Sequence, residues 1–334
     1  MMSLLQRVHP QNLRLIALAI VLVLLILFFA TQIDNYLSPR MLNRIATSAA
    51  LFLPVAIGQA VVVITRNVDL SVGSLVGFLA FFMGDMLGHY DLGPVLTVVA
   101  FLILGGCFGA INGALVSYGK VPSIIVTLGT LAIFRALLIE YSGSRTITTD
   151  SMPKWVADFP QYSVFSIGSF EVRLTVVLAL AAALIFGIAL SRLRSARKLY
   201  AVGSNPDAAV MAGINSQRVV FTAFVLSGMM AGLGGFMFLA RFGNITVGAG
   251  LGFEFKSVSE IVVGGVNIFG GSGSMLGVVL GTVLVDTLEN SLLRWQVISE
   301  FWRDALLGML IILAVAADTF MTRSFTRLRA KKDV

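Results

Sequence analysis

The chain has 334 residues, 57% of them hydrophobic and only 12% charged, and its mean hydropathy is +0.92. A water-soluble domain of this length does not carry such a composition; repeated apolar runs near 20 residues define an all-α, polytopic membrane protein. The formal net charge of +7 does not point to nucleic acid, because the cations crowd the segments that flank apolar runs.

A basic N-terminus (Arg7, Arg14) leads into a first span at about 15–30, which lacks a small-residue cleavage site and reads as a retained span. Pro39 closes the polar loop that follows. The second span, 45–64, holds Pro54 and Gly58, and the third, 72–87, is glycine-rich. In the fourth, 94–116, Gly105 and Gly109 lie four apart on one face, a spacing that lets a second helix approach closely. The fifth runs to about 140 through Thr127, Thr130 and Arg135. The long polar stretch 142–173, with Trp155, Pro160 and Tyr162, suits a folded loop at the periplasmic surface. The sixth span, 174–190, ends in Arg192, Arg194, Arg197 and Lys198. Spans at 219–240, 257–269, 275–293 and 305–317 complete the count at ten, with eight or nine possible because two are short. Ten crossings put 14 Lys and Arg on the side of the termini and nine on the other, with Arg135 inside a span. That excess predicts both termini, and the 192–218 loop, in the cytoplasm. The whole of 1–334 reads as one transmembrane domain.

Within 61–84 (VVVITRNVDLSVGSLVGFLAFFMG), two apolar runs stand on either side of Arg66, Asn67 and Asp69. No water reaches backbone groups inside hydrocarbon, so a break there must be lined by protein or by a wet cavity. Asp69 is expected to cap the second run, and Gly73 and Gly77 to allow close backbone approach. A short cytoplasmic turn and a cap that shapes a solute path both fit. At an offset of 200, 61–77 aligns with 261–277 through Val62, Val63, Asn67, Gly73, Ser74 and Gly77; a true repeat would place Asn267, Gly273 and Gly277 in a second break facing the same cavity, and a chance match among abundant Gly, Val and Ser is the other reading.

The loop 198–219 holds the clearest signal outside lipid. Asn205 can cap a short helix, Pro206 fits its first turn, Asp207 lies at the positive end, Ala208 and Ala209 favour helix, and Gly213 can end it in a left-handed residue. A helix of about two turns is marginal alone, so a partner is expected to hold it; an ordinary capped loop helix is the other reading.

Together, VDLSVGS (68–74), KVPSIIVTLGTLAIFR (120–135), GSNPDAAVMAGI (203–214) and VVGGVNIFGGSGSMLGVVLG (262–281) resemble the permease subunit of bacterial ATP-binding-cassette importers for monosaccharides, the ribose, arabinose, galactose, rhamnose and autoinducer-2 group. The resemblance spans nearly the whole chain. It implies a dimeric permease core in the bacterial inner membrane, formed with a second copy or a similar permease. It also implies a cytoplasmic ATPase and a periplasmic sugar-binding protein. In such importers a loop with a Glu-Ala-Ala-x-x-x-Gly pattern docks in the ATPase. Here Gly203, Asn205, Pro206, Asp207, Ala208, Ala209, Gly213 and Ile214 occupy it, with Asp for Glu. Arg66 and Asn67 before Val68-Asp69 resemble the autoinducer-2 and deoxysugar branch.

No G-x-x-x-x-G-K-[ST] segment is present, so nucleotide phosphates have no cradle here and ATP and Mg²⁺ are expected in the partner. Nor is there an HExxH, a Gly-x-Ser-x-Gly elbow or a plausible triad, so the chain is expected not to be an enzyme. His9, His89 and the single Cys107 make no metal spacing, and no metal or cofactor is expected. Intramembrane polar groups usually face the protein interior. Asp69, Ser71, Ser74, Asn112, Thr127, Thr130 and Asn267 are the candidates for the solute path of a neutral polyol. Asp286 and Glu289 share a helix face, and Glu260 is a possible partner of Arg135. The expected function is monosaccharide import driven by a separate ATPase; a self-sufficient secondary transporter or channel is the alternative, and a membrane scaffold a weaker third.

Overall fold

The structure, a computed structural model, describes residues 10–295 and isolated positions between 302 and 316. Arg7, the basic C-terminal tail and most of the expected tenth span lie outside the described residues. The helices are α1 (Pro10–Gln32), α2 (Pro39–Ile64), α3 (Val72–His89), α4 (Pro94–Ser117), α5 (Ser123–Ser142), α6 (Lys154–Asp158), α7 (Leu174–Arg192), α8 (Arg194–Ser204), α9 (Pro206–Met211), α10 (Ser216–Phe242), α11 (Phe253–Val263) and α12 (Met275–Trp295). Strands β1 (Ser163–Ile167) and β2 (Phe170–Arg173) pair antiparallel in the 142–173 loop. Among the described residues, eight helices are long and apolar enough to cross a membrane: α1 to α5, α7, α10 and α12.

Helix limits follow local chemistry. Pro39 and Pro94 open α2 and α4 at positions where a missing N–H is harmless, and Gly143 and Gly243 close α5 and α10 at positive φ. The bundle is built around α10, which packs against α4, α2 and α3. At the α4–α10 crossing, a Cβ on Gly105 would fall on the carbonyl oxygen of Gly228, and one on Gly232 on that of Phe101. The small-residue spacing seen in the sequence therefore brings two backbones into contact. Large side chains such as Leu24, Ile103, Ile125 and Leu184 remain exposed on α1, α4, α5 and α7. In water they would carry a hydrophobic penalty; against lipid tails they carry none. A second, smaller core of Phe29, Ile33, Tyr36, Met41 and Ile45 fastens α1 to α2 and α12, where the Tyr36 hydroxyl meets Ser291 Oγ at 2.6 Å.

Three expectations need correction. The eighth span, placed at 257–269, is a half-helix of 11 residues, α11, which is too short to cross alone and ends at Val263. Asp69 is not the cap of α3: the helix starts at Val72 after Ser71, and Asp69 lies two residues earlier, where its Oδ1 accepts from Ser71 N (3.0 Å) and Ser71 Oγ (2.7 Å). Glu260 does not pair with Arg135; its Oε2 accepts from Thr282 Oγ1, and Arg135 lies on other partners.

Lys256, grouped by sequence with the outward-facing cations, is buried in the core instead. Its Nζ donates to Asp286 Oδ1 (2.9 Å) and Glu289 Oε2 (2.5 Å) and stands 3.4 Å over the Phe52 ring, while Ser48 Oγ donates to the same Asp286 oxygen. One cation thus ties α11 to α12 and α2, and the two carboxylates three apart share a face because they share it.

Candidate functional site: a junction between two helix breaks

Two interruptions organise one end of the bundle, the end that carries α8 and α9. The first, 65–71, separates α2 from α3; the second, 264–274, separates α11 from α12. These are the two segments aligned at an offset of 200, and they touch: Gly271 N donates to Ile64 O at 2.9 Å.

The C-terminal turn of α8 is wedged onto the same point. A Cβ on Gly203 would fall on Ile64 O and lie 2.6 Å from Gly271 N, so only glycine fits. Arg66, held at φ +65, turns its guanidinium across the end of α8, with Nε donating to Gly203 O (2.5 Å) and Nη2 to Ser204 O (2.6 Å). Those carbonyls have no helical partner, and a cation there also meets the negative end of the helix dipole. Tyr200 Oη donates to Gly273 O at 3.1 Å, and burial pushes its hydroxyl pKa up, which keeps it a donor. Gly270 and Gly271 adopt φ of +82 and +76, the conformation that lets the second break fold under α8.

From this junction the chain passes directly into α9. Asn205 Oδ1 accepts from Ala208 N (3.0 Å) at its start. At its end, Gly213 N donates to Val210 O and Ile214 N to Ala209 O, with Gly213 at φ +77, which is a Schellman closure. Ala209 faces inward; Asp207, Ala208, Val210 and Met211 face out, Met211 with 89% of its surface exposed. An apolar tip so exposed on a short, doubly capped helix is a surface that water alone does not favour. The sequence placed the short capped helix and showed Arg66 between two apolar runs; what it did not carry is the exposure of Val210 and Met211 and the bonds from Arg66 to Gly203 and Ser204.

The candidate path residues fall mostly in one knot beside the first break. Asn112 Nδ2 donates to Ser71 Oγ (2.8 Å), Ser227 Oγ to Asp69 Oδ2 (3.3 Å) and Ser74 Oγ to Ser71 O (2.9 Å). Ser123 Oγ accepts from Val68 N, and Thr127 Oγ1 reaches Val68 O. Thr130 bonds Val126 O within its own helix. Asp69, Ser71, Ser74, Asn112, Thr127 and Thr130 are all buried in this conformation. Asn267 stands apart in the second break, closing its turn through Phe269 N and Ser272 O. The glycines behave as spacers: a Cβ on Gly73 would fall on the Glu254 carboxylate, on Gly77 upon Ala249 O, on Gly277 upon Gly264 O, and on Gly273 within 3.1 Å of Val266.

Ser71 and Asp69 are level with Asn112 and Ser227, which lie five and eleven residues in from the α8–α9 ends of α4 and α10. At 1.5 Å per residue that is about 8 to 16 Å inside the bundle. Helix α3 therefore starts within the membrane-spanning layer, and α11, whose Phe253 lies against Gly73, starts beside it.

A bundle of apolar spans with two interrupted helices meeting under a short exposed helix has the form of a membrane permease. The comparisons agree. Residues 41–315 match the family described as the branched-chain amino acid transport system / permease component, and the chain belongs to that family. It is 34% identical to the autoinducer 2 import system permease protein LsrC of Salmonella typhi over 92% of this chain and 86% of that one. It is 32% identical to the LsrC protein of Escherichia coli (strain SMS-3-5 / SECEC) over 92% and 87%. No solved structure matches. The protein is a multi-pass permease of the bacterial inner membrane.

Proposed function

We propose that the chain is the membrane gate of an ATP-binding-cassette importer that carries a monosaccharide-like polyol, autoinducer-2 or a related compound, into the cytoplasm. The observation that carries this reading is the junction itself: an exposed handle, α9, joined through Gly203, Ser204 and Arg66 to both helix breaks. A force applied at α9 reaches the starts of α3 and α12 through hydrogen bonds and backbone contact, with no flexible linker between.

In this reading the α8–α9 end is cytoplasmic and a separate ATPase grips Asp207, Ala208, Val210 and Met211. A periplasmic sugar-binding protein delivers solute at the hairpin end, and a second permease, identical or related, completes the path. ATP and Mg²⁺ belong to the ATPase. The motor shifts the gate only because the two gate conformations present α9 to its groove differently. The knot of Asp69, Ser71, Asn112 and Ser227 keeps the first break rigid enough to transmit that displacement, and 1–334 works as one domain.

Reconstitution tests the reading. Uptake of autoinducer-2 into vesicles should require ATP, the ATPase and the binding protein together; uptake by the purified chain on a proton or sodium gradient overturns it. Met211→Glu, at a side chain free of the core, should abolish co-purification of the ATPase and leave insertion of the permease unchanged.

A further inference from the structure

The nine residues before α11, 244–252, form no helix, yet they lie alongside a membrane-spanning one. Ile245 pairs with Ile147, which packs on Gly84 of α3; Ala249 O meets Gly77, and Gly250 meets Gly73. Between those points the chain descends past eleven residues of α3, about 16 Å of its length. It is a string of turns, with φ of +73 at Gly250 and +82 at Gly252. One flank is sealed against α3. The other is open: Val247, Gly248, Leu251, Gly252 and Phe255 are exposed, Leu251 and Phe255 by more than 60%, and a Cβ on Gly252 would meet empty space.

Non-helical backbone at membrane depth is not left facing lipid, because each unpaired N–H or C=O there costs several kcal/mol. The open flank must therefore face water or protein. A second observation decides between them. Arg135 stands twelve residues into α5, about 18 Å from its start, and is half-buried against this stretch. Its Nη1 donates to Val247 O (2.9 Å) and Ala249 O (2.8 Å), while Nε and Nη2 find no acceptor among the described residues. An intramembrane guanidinium faces the bundle interior or a water-filled cavity, and donors left to spare after two carbonyls favour water. Behind it, Glu254 supplies a carboxylate against Gly73.

We infer that the open flank of 244–252, with Arg135, is a wet wall of the solute path and that it takes a polyhydroxylated solute. The inference rests on the importer reading above. The spare donors of the planar guanidinium match a pair of vicinal hydroxyls, and turn backbone beside them offers further donors and acceptors to hydroxyls that shed water. The carboxylate of Glu254 is buried behind Arg135, so the charge this wall offers a solute is the guanidinium.

Cysteine scanning of the complete importer in membranes tests this. Cys107 is the only cysteine of this chain, so Cys107→Ala gives a thiol-free permease, and labelling is read on that subunit after separation from its partners. Val247→Cys and Leu251→Cys should react with a membrane-impermeant methanethiosulfonate at least tenfold faster than Leu184→Cys, a lipid-facing control, and saturating autoinducer-2 should slow them. Rates equal to the control, or thiols that react only in the isolated permease, overturn the inference; the second result would assign the flank to a protein interface. Arg135→Lys keeps the charge but loses the fork, and should raise the KM for autoinducer-2 uptake about tenfold with the maximal rate within twofold. An unchanged KM counts against the role of Arg135. Intact ATP-dependent uptake with silent thiols sinks this inference alone, whereas absent ATP-dependent uptake in the Cys107→Ala background sinks the importer reading.

Discussion

Two non-helical segments enter the membrane layer, 65–71 ahead of α3 and 244–252 ahead of α11, and they meet the same physical demand in opposite ways. In the first, Asp69 accepts from Ser71 and Ser227, Asn112 donates to Ser71, and Ser123 and Thr127 take up both backbone groups of Val68. Every one of these side chains is buried. In the second, α3 and Arg135 satisfy one flank and the other stays open. A break whose buried side chains bond one another behaves as a joint, able to pass on a displacement without changing shape. A break bonded on one side keeps polar groups for something that comes and goes. The difference lies in the neighbours and in the segments themselves: 65–71 has no glycine and carries its own polar side chains, whereas 244–252 holds Gly248, Gly250 and Gly252.

The comparison is broken most directly at the anchor of α11. If the open segment is tolerated because α11 is fixed behind it, removing Lys256 should be the most damaging single change. Lys256→Met withdraws the cation shared by Asp286 and Glu289 inside the core, and removing one partner of a buried ion pair costs about 3–5 kcal/mol. The thermal midpoint in detergent should fall steeply, and Lys256→Met with Asp286→Leu and Glu289→Met should restore most of it. At the closed break, Asp69→Ala leaves the hydroxyls of Ser71 and Ser227 buried without their acceptor, at a cost of about 1–3 kcal/mol. Uptake should fall while the isolated permease still inserts. At the handle, Asn205→Ala removes one helix cap, worth about 1 kcal/mol locally. The bulk midpoint should hardly move, and ATPase binding should weaken several-fold.

These residues also show how far the sequence could be read. Eight of the ten expected spans, a close helix contact at the α4 glycines and the capped helix at 205–213 follow from local rules, namely hydropathy, small-residue spacing and capping chemistry, and these are present among the described residues. The half-helix α11 was misplaced because a hydropathy window reads 257–269 as one run, whereas the positive φ of Gly252 and Gly265 sets its true limits. Lys256 was assigned to a loop because charge in an apolar protein usually means a loop; its partners lie 30 and 33 residues away, on α12. Arg66 bonds residues 137 and 138 positions away, and no local pattern carries that information. Long-range pairing is what single-sequence patterns omit, and at this site it supplies the connection between handle and gate.

The smallest expected effect is the sharpest test of open against closed. Val76, on α3 beside the first break, is fully buried, and Val247 is exposed on the second segment. The same substitution at both positions changes the same atoms in opposite surroundings. Val76→Ser gives up the burial of a valine side chain, about 1.5–3 kcal/mol, and leaves a hydroxyl to find a backbone carbonyl in its own helix. Val247 is 39% exposed, so Val247→Ser gives up only part of a valine's burial, and its cost should stay below that of Val76→Ser, at about 1 kcal/mol or less. Its effect on transport should nonetheless be measurable, because a hydroxyl on a wet wall adds one more group for a polyol to bind, and tighter binding slows release. The expected pattern is a lower KM and a lower maximal rate for Val247→Ser with the smaller fall in midpoint, against the larger fall for Val76→Ser. Equal losses of stability at the two positions would mean that 244–252 is as tightly enclosed as 65–71, and the distinction between joint and wall would fall with it.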